Sequence, residues 1–514
     1  MSGAAPVNAA VATGDTAAAA IADGMLGAVA QRATDAGGFD IHAHLGRVLA
    51  GIGLDAGMTG GSLRFDGADP IVPSVFRLGA AAGIGLAAKS VAMATLWRAR
   101  TGEGQDIAVD LRRAPRRLCP FYERRWELLN GYPPRNPADP ENPLSLAFYP
   151  ARDGRWVMPL NLYPRLKSSA LKLFGTPDDA RAIAAAIRAR DAAEWEALGA
   201  EAGVVLPMLR SVGEFVREEQ FTGHLAQLPL VRVEKIGDAD PVPFTPNPQQ
   251  PLSGIRALGM GRVIAGAGIG RALALHGADV LNLWRPGDFE IDLLYATANV
   301  GVRSAMLDPM PEPGRAKLRE LLSGADVFYA NRRPELLARV GLAAEQAAAL
   351  RPGLIHVTVN LHGPTGPWAP RPGFDQTAGC VSGVMNLEGE EGVPKLPPIM
   401  VVNDYLCAWL ASAGVVSALM RRATEGGSWR VQVSLTRASI WLYSLGLFDP
   451  AYARVIAGSA EGGGLHEHHA PEMFEADTPL GRYRGVTDQV WMSRTPGRYD
   501  TVLVPRGSCA ARWT

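Results

Sequence analysis

The sequence has 514 residues, of which 47% are hydrophobic, enough for two to four domains with sizeable cores. Lysine and arginine together equal aspartate and glutamate, 51 against 51, so the formal net charge is zero and no basic excess indicates nucleic-acid binding. The four cysteines are far apart and show neither metal-binding nor redox spacing, which predicts a reduced, cytoplasmic environment and no metal site.

The N-terminal third begins with an alanine- and glycine-rich segment and continues into a long apolar stretch. The first thirty residues lack a basic start followed by an apolar core, so we expect no signal peptide. Residues 78–97 and 405–420 approach the length of a membrane span, but both are rich in small residues. We therefore expect two closely packed, buried helices rather than membrane spans.

The corners that follow these two apolar stretches have similar sequences. Residues 96–111 and residues 419–435 each read as the end of a helix, a Thr/Gly corner and an alternating strand, which predicts an internal duplication. Counting back from the corner, Asp404 lies opposite Ala81. Only the second copy therefore has an acid at this position, and we expect one active site in the chain.

Residues 136–235 read as a smaller α/β domain. Two short apolar segments flank the pair Asp153-Gly154, which is typical of a hairpin turn, and helices are expected at about residues 180–190 and 192–202. Five prolines within residues 236–251 then predict a stiff linker.

A nucleotide-type βαβ unit opens the second half of the chain. A strand at residues 255–258 leads to the glycine-rich turn and helix at 266–273, and a second strand follows at 278–284. Glycines at such a turn let the backbone approach a phosphate, and the helix N-terminus favours negative charge. An NAD-binding fold would have Asp or Glu after the second strand, whereas Arg285 favours a ligand with an extra phosphate.

Several ordered segments of this half resemble the class III coenzyme A transferase family, also called CaiB/BaiF, which includes formyl-CoA and carnitine-CoA transferases. Each segment alone is a weak match, but together they follow the family's order over roughly a third of the chain. They are residues 251–256, 276–281, 325–331, 333–334, 339–342, 351–355, 363–368, 371–376 and 403–405.

The resemblance implies an α/β fold with an open Rossmann-like CoA-transferase large domain and a smaller α/β domain. The chain then divides into a degenerate partial large-domain module, the small domain, the linker, the CoA-binding large domain and a C-terminal segment. Their bounds are residues 1–135, 136–235, 236–251, 252–445 and 446–514. This order is permuted relative to a usual member. Members of the family form interlocked dimers. This chain could form such a homodimer, or its two halves could form the same interface within one chain, and the sequence leaves both alternatives open.

The resemblance also implies the catalytic residues. Asp404, at the start of a helix, matches the family's nucleophilic aspartate, and a helix N-terminus stabilises an ionised carboxylate. The alternative is that Asp404 only caps the helix. Asp375 is the second candidate catalytic acid, with a capping or turn function as its alternative. Phe374 replaces the histidine that related racemases have there, which favours transfer over racemisation.

Coenzyme A carries a 3′-phosphate and a pyrophosphate, so the resemblance implies a set of contacts to it. The candidate CoA-binding residues are Arg262, Val263, Arg285, Arg303 and Arg339. The alternative for each arginine is a solvated surface charge. Val302 departs from the family pattern, which usually has a lysine before the arginine, so one phosphate contact is expected to be missing.

The sequence therefore predicts an enzyme that moves CoA between an acyl-CoA and a carboxylic acid through an aspartyl intermediate. Acyl-CoA is its substrate, no cofactor is bound permanently, and neither nucleic acid nor a membrane is expected as a partner. Two alternatives are open: an acyl-CoA racemase or isomerase on the same scaffold, and a non-catalytic CoA-binding scaffold protein. Gly462-Gly463-Gly464 reads as a glycine loop of some family members or as a flexible linker.

Overall fold

The computed structural model describes residues 14–136 and 142–514. The start of the alanine-rich segment, for which no signal peptide was expected, lies outside the described residues. The strands are β1 (Leu63–Asp66), β2 (Ile107–Asp110), β3 (Leu128–Leu129), β4 (Tyr149–Pro150), β5 (Trp156–Val157), β6 (Arg232–Gly237), β7 (Arg256–Met260), β8 (Asp279–Trp284), β9 (Arg303–Met306), β10 (Val327–Ala330), β11 (Ile355–Asn360), β12 (Ser428–Ser434), β13 (Met473–Thr478), β14 (Gly481–Val486) and β15 (Val490–Met492).

The α-helices divide between the two halves of the chain. Those of the first half are α1 (Gly14–Ala30), α2 (Ile41–Ala50), α3 (Leu78–Thr101), α4 (Pro164–Phe174), α5 (Ala180–Ile187), α6 (Ala192–Ala202) and α7 (Val212–Phe215). Those of the second half are α8 (Ala265–Leu275), α9 (Asp292–Ala298), α10 (Glu312–Ser323), α11 (Pro334–Arg339), α12 (Ala344–Leu350), α13 (Asp375–Ser382), α14 (Val384–Glu388), α15 (Asn403–Glu425), α16 (Leu435–Tyr443), α17 (Pro450–Ile456) and α18 (Glu461–Gly464).

The largest sheet has seven strands in the order β6-β12-β11-β10-β7-β8-β9. The six strands from β7 to β12 are parallel, and they run outward in both directions from the pair β7/β10. This is the doubly wound order of a Rossmann fold. The predicted α/β fold with a Rossmann-like large domain is therefore confirmed.

The strands of this sheet form because their sequences can be buried on both faces. All four residues of β10 are buried, and five of the six residues of β8 are buried. Such continuous apolar runs are typical of parallel sheets that have helices on both sides. Gly277, with φ +94°, follows α8 and turns the chain into β8, as the predicted βαβ unit requires.

A second, three-stranded sheet in the first half reproduces one edge of the large sheet. Its order is β1-β2-β15, with β1 and β2 parallel and β15 antiparallel to β2. The edge strands are exchanged between the halves, because β15 comes from the C-terminal segment. In the same way β6, which precedes the proline-rich segment, pairs antiparallel with β12 of the second half.

The helices α3 and α15 pack against each other at the centre of the molecule. Both are almost entirely buried, as predicted for the two apolar stretches, and each ends at a positive-φ glycine, Gly102 and Gly426. Within the described residues, α3 is long and apolar enough to cross a membrane, but its apolar portion is buried inside the protein. A Cβ added to Gly85 would lie 2.7 Å from Leu406 Cδ1, so glycine allows this close approach.

The small domain has its own apolar core, which includes residues from β4, β5 and the helices α4 to α6. The hairpin β4/β5 turns at Gly154, which has φ +77°. The division of the chain into five segments stays a prediction. One observation bears on its boundaries, since β6 lies partly within the segment assigned to the small domain but hydrogen-bonds to the large sheet.

The close crossing of α3 and α15 predicts different effects of two helical glycine substitutions. Gly85→Val should lower the free energy of unfolding by about 1–3 kcal/mol, because the added atoms meet Leu406 and Trp409. Gly46→Ala in α2, with nothing within 4 Å of the added Cβ, should raise it by about 0.5–1 kcal/mol. Urea denaturation of both variants measures this, and a Gly85→Val variant as stable as the wild type would contradict the crossing.

Candidate active site at the carboxyl edge of the large sheet

The candidate site lies where the large sheet changes its direction of winding, outside the carboxyl ends of β7 and β10. Ligands of doubly wound folds bind in this crevice. Residues 261–264 follow β7, and Asn331 and Arg332 follow β10. The side chain of Asn331 ties the two loops together, because its Oδ1 accepts from the Arg262 amide at 2.9 Å and its Nδ2 donates to the Arg262 carbonyl at 3.0 Å.

Asp404 is the second residue of α15, at the same edge of the sheet, and it is 6% exposed. It does not cap its helix. The cap comes from Asp375, whose Oδ2 accepts hydrogen bonds from the backbone amides of Val402 (3.2 Å), Asn403 (2.5 Å) and Asp404 (2.8 Å). The capping function considered for both acids therefore belongs to Asp375, and the Asp404 carboxylate is left for another use.

The first half of the chain uses the same device at the start of α3. The carboxylate of Asp69 accepts hydrogen bonds from the amides of Ile71 (3.2 Å), Gly79 (3.0 Å) and Ala80 (2.7 Å). The next residue is Ala81, which the duplication aligns with Asp404. The buried N-terminus of α3 is therefore capped by a distant aspartate, Asp69, although Ala81 gives it no acid to position. The cap is thus required by the buried helix end itself.

The pKa values of Asp404 and Asp375 are both raised, contrary to the expectation that the helix N-terminus keeps Asp404 ionised. Burial raises the pKa of Asp404 well above its ordinary value, the charge of Asp375 raises it further, and a hydrogen bond from the Ala265 amide only partly opposes this. Burial also raises the pKa of Asp375, to about 6, against its three amide donors. Burial and their mutual repulsion therefore make the pair resist ionisation as the pH rises.

Glu290 connects the small domain to the loop that follows β7. Its Oε1 accepts from the Tyr163 hydroxyl at 2.5 Å and its Oε2 accepts from the Val263 amide at 2.9 Å. Val263 has φ +57°, a left-handed conformation that costs a β-branched residue about 1–3 kcal/mol and is found where function demands it. This strained residue leads directly into α8, whose first amide faces Asp404.

Three arginines gather around Asp288 at the ends of β8 and β10. Arg332 donates to Asp288 Oδ2 at 2.7 Å, Arg262 lies 3.8 Å from Oδ1, and the amide of Arg285 donates to Oδ2 at 3.1 Å. Burial opposes ionisation of Asp288, but the Arg332 hydrogen bond and the two charges outweigh it and lower its pKa. Burial, with a smaller effect of the charges of Arg262 and Arg285, lowers the pKa of Arg332 despite the attraction of Asp288.

The other candidate CoA-binding residues are placed differently. Arg303 begins β9 at the amino edge of the sheet and pairs with Asp279 at 2.7 Å, so the structure does not bring it to this crevice. Val302 is 1% exposed and its side chain packs into the main hydrophobic core. Arg339 ends α11 after the β10 loop and is exposed. A CoA contact for Arg339 stays a prediction, whereas the position of Arg303 at the opposite edge of the sheet argues against the CoA contact predicted for it.

The glycine-rich turn Gly462-Gly463-Gly464 contacts the first half of the chain. All three glycines have positive φ, and the next residue, Leu465, accepts a hydrogen bond from the Ala68 amide at 2.9 Å. Ala68 precedes Asp69, the cap of α3. The turn therefore lies beside the copy that has no acid.

The first half also reaches the surroundings of Asp404. The Arg117 guanidinium lies 4.0 Å from the centre of the Tyr405 ring, and the Tyr405 hydroxyl hydrogen-bonds Thr297 Oγ1 at 2.9 Å. Burial raises the pKa of the Cys119 thiol, and the charge of Asp375 adds to this. Arg117 and Cys119 therefore contribute to a site whose acids come from the second half.

Sequence reasoning missed four residues of this site: Tyr163, Glu290, Asn331 and Arg332. Arg332 lies between two segments that the family resemblance singled out, so its position was available as a signal. Glu290 and Tyr163 are 127 residues apart in the chain, and only the tertiary fold brings them together.

The raised pKa of Asp404 predicts how its substitution changes stability with pH. In the unfolded chain the carboxyl ionises near its ordinary pKa, so the folded wild type loses stability as the pH rises from there toward the raised value. Asp404→Asn should abolish this loss, and its advantage over the wild type should grow as the pH rises above the ordinary carboxyl pKa, by up to about 1.4 kcal/mol per pH unit.

Denaturant unfolding at several pH values tests this prediction. Asp238→Asn, at an exposed position, is a control for which the pH dependence of stability has the opposite sign. Lys235 lowers the pKa of Asp238, so the small contribution of ionised Asp238 to stability is lost as the pH falls. A pH-independent difference between Asp404→Asn and the wild type would contradict the raised pKa.

One protein family matches this chain over most of its length, and individual relatives match parts of it. The sequence profile of CoA-transferase family III matches residues 47–227 and 252–499. An acetyl-coenzyme A transferase of Hypoxylon pulicicidum is 33% identical over 40% of this chain and 35% of its own length. A succinate–glutarate CoA-transferase of Agrobacterium fabrum is 32% identical over 37% of this chain and 52% of its own.

A third relative, the succinyl-CoA–L-malate CoA-transferase alpha subunit of Chloroflexus aurantiacus, is 29% identical over 49% of this chain and 62% of its own length. The chain thus spans between about a third and just under two thirds of these curated relatives. Among solved structures, a CaiB/BaiF family protein of Brucella suis matches 45% of this chain and 65% of its own at 25% identity, with a TM-score of 0.34. The profile match covers more than half of the chain, and the protein belongs to CoA-transferase family III.

Proposed function

We propose that this protein is a CoA-transferase that moves CoA between an acyl-CoA and a carboxylic acid, with Asp404 as nucleophile. One observation carries the proposal. Asp404 has a buried carboxylate at the switch point of the large sheet, and a different acid, Asp375, caps its helix. Burying a carboxyl group lowers the stability of the folded protein, and Asp404 does not offset this by capping its helix. We therefore infer that its carboxyl group serves the chemistry of the site.

The chemistry needs one protein carboxylate and four acyl transfers, two for the donor and two for the acceptor. An ionised Asp404 oxygen attacks the thioester carbonyl, the C–S bond breaks, and CoA leaves as a thiolate from a mixed anhydride. The thiolate then attacks the Asp404 carbonyl carbon of the anhydride, and the C–O bond breaks to release the first carboxylic acid as its carboxylate. A second carboxylate attacks this aspartyl thioester, and the same steps in reverse yield the new acyl-CoA and free Asp404.

The backbone at the start of α8 and α15 supports these steps. The Ala265 amide donates toward the Asp404 carboxylate, and the amides of a helix N-terminus stabilise negative charge that develops on an acyl oxygen. Asp375 acts in this scheme as a positioning residue, because its carboxylate fixes the backbone of residues 402–404. Its own charge keeps Asp404 basic, which favours attack once Asp404 is ionised.

The arginines at the ends of β8 and β10 suit the phosphates of CoA. Arg262, Arg285 and Arg332 carry three positive charges against Asp288 and Glu290, so one charge is in excess. The Arg285 Nε has no hydrogen-bond partner within the described part of the chain, and phosphate oxygens are strong acceptors for such a group. CoA is a substrate here and not a bound cofactor.

Racemisation and a purely structural role are less well supported. Phe374 cannot exchange a proton, and the adjacent Asp375 is engaged by three backbone amides. A non-catalytic scaffold would have no need for the Asp404 acid, which the first half of the chain replaces with Ala81. The exchanged strands β6 and β15 provide an interlocked contact within one chain, so homodimerisation is not needed to form it.

Asp404→Asn should abolish CoA transfer while leaving CoA binding intact, because the amide keeps the shape of the side chain but is not a nucleophile. The measurement is exchange of a ¹³C-labelled carboxylic acid into its acyl-CoA, followed by mass spectrometry. Asp69→Asn is the matched control, since it weakens the equivalent cap of the copy that has no acid and should retain transfer. Transfer by Asp404→Asn at a rate near that of the wild type would refute the assignment.

The position of the arginines predicts which of them bind CoA. Arg285→Ala should weaken CoA binding about 10- to 100-fold, since a charge-assisted phosphate bond contributes about 1.5–3 kcal/mol. The loss should be smaller for dephospho-CoA if Arg285 contacts the 3′-phosphate. Arg303→Ala, at the opposite edge of the sheet, should change affinity less than about twofold.

Isothermal titration calorimetry measures these affinities and their stoichiometry together. One CoA per chain is expected, since the first copy lacks the acid and the βαβ turn. A larger loss for Arg303→Ala than for Arg285→Ala, or two CoA per chain, would contradict this location of the site.

A further inference from the structure

We propose that the acyl groups handled by this site are uncharged and apolar, such as aryl or branched alkyl groups, and are not dicarboxylic acids. This inference rests on the proposed CoA-transfer function. It concerns the half of the substrate that reaches Asp404, and both the donor and the acceptor acid pass through that place. Three aromatic rings and the local balance of charge carry it.

The three rings converge beside the nucleophile. Tyr163 and Phe374 stack with their ring centres 5.7 Å apart and their planes within 10°, and Phe289 meets Tyr163 edge-on at 5.9 Å. Phe374 is the residue before Asp375, whose carboxylate holds the Asp404 amide at 2.8 Å. Phe289 is 43% exposed, so an apolar surface remains at the mouth of the crevice.

The polar atom of this group is already in use. The Tyr163 hydroxyl donates to Glu290 at 2.5 Å, and its ring is held between Phe374, Phe289 and the Arg262 guanidinium. The two phenylalanines therefore offer the apolar surface to a ligand. The segment that leads into α15 is apolar as well, because residues 399–402 are Ile, Met, Val and Val and all four are buried. The rings and this segment are therefore both apolar surroundings of the start of α15.

The charges around Asp404 disfavour a second carboxylate. Asp404, Asp375 and Glu290 are three buried acids close to the attacked carbonyl. The cation beside them, Arg262, lies 3.7 Å from Glu290 Oε2 and 3.8 Å from Asp288 Oδ1 and donates to the Phe289 carbonyl. A distal carboxylate of the acyl group would be desolvated among these acids, and Arg262 is already engaged by two of the neighbouring carboxylates, so the binding of that distal carboxylate is disfavoured.

Two thioesters of the same shape separate charge from size. Succinyl-CoA and 4-methylpentanoyl-CoA differ only in that an isopropyl group replaces the distal carboxylate. Each is incubated with the full chain and its own ¹³C-labelled acid, and labelled acyl-CoA is measured by mass spectrometry, so no physiological acceptor has to be known. The Kd of each thioester is also measured on the Asp404→Asn variant, where no transfer occurs.

We expect 4-methylpentanoyl-CoA to exchange and to bind at least about tenfold better than succinyl-CoA, the equivalent of 1.4 kcal/mol. Equal or tighter binding of succinyl-CoA overturns the inference. Absence of exchange with both thioesters, together with the expected difference in Kd, would refute the transferase proposal and leave the inference standing.

A reversal of the charge preference tests the rings themselves. Phe374→Arg should shift both the exchange ratio and the Kd ratio toward succinyl-CoA, because it places a cation beside the nucleophile. Phe289→Arg does the same from an exposed position if Phe374→Arg fails to fold. Trp491→Arg, an exposed aromatic on β15 in the other sheet, should leave both ratios unchanged. Equal shifts for Trp491→Arg and the two phenylalanine variants would overturn the assignment to these rings.

Discussion

The burial of two helix N-termini at the centre of the molecule constrains the rest of the structure. The helices α3 and α15 both begin inside the protein, and each backbone amide left without an acceptor there would cost about 1–3 kcal/mol. Asp69 and Asp375 supply the acceptors from distant points in the chain. A carboxylate can be buried in this way because several amides replace its hydration, and the two helices can then cross closely at Gly85.

The same constraint explains how one half of the chain can serve the other. The first half has no acid at Ala81, yet it retains the capped helix, the parallel strand pair β1/β2 and the small domain. Through these it supplies strand β6 to the large sheet, Tyr163 to the Glu290 contact and Arg117 to the face of Tyr405. It therefore completes the surroundings of Asp404, and the loss of its own acid does not make it dispensable.

Local sequence patterns were sufficient for the framework of this protein. The βαβ unit, the two buried helices and the strands that follow their corners were predicted, because apolar periodicity and glycine position encode them. A capping function was one alternative for Asp375, but which helix it caps was not predicted, since its partners are 27 to 29 residues away and a cap supplied from that distance has no local signature. The exchange of β6 and β15 was missed for the same reason, because strand pairing across the two halves depends on the fold.

The electrostatics of Asp404 connect stability with chemistry. An acid confined next to a second acid is costly to ionise, and the cap that α15 requires is what places Asp375 there. The repulsion between Asp375 and Asp404 is therefore a consequence of starting α15 in the interior of the protein. A carboxylate that is hard to ionise is also a stronger base once ionised, and in the proposed transfer an incoming thioester carbonyl gives that charge an acceptor. In that proposal, the interaction that weakens the folded state as the pH rises is also the one that prepares the carboxylate for attack.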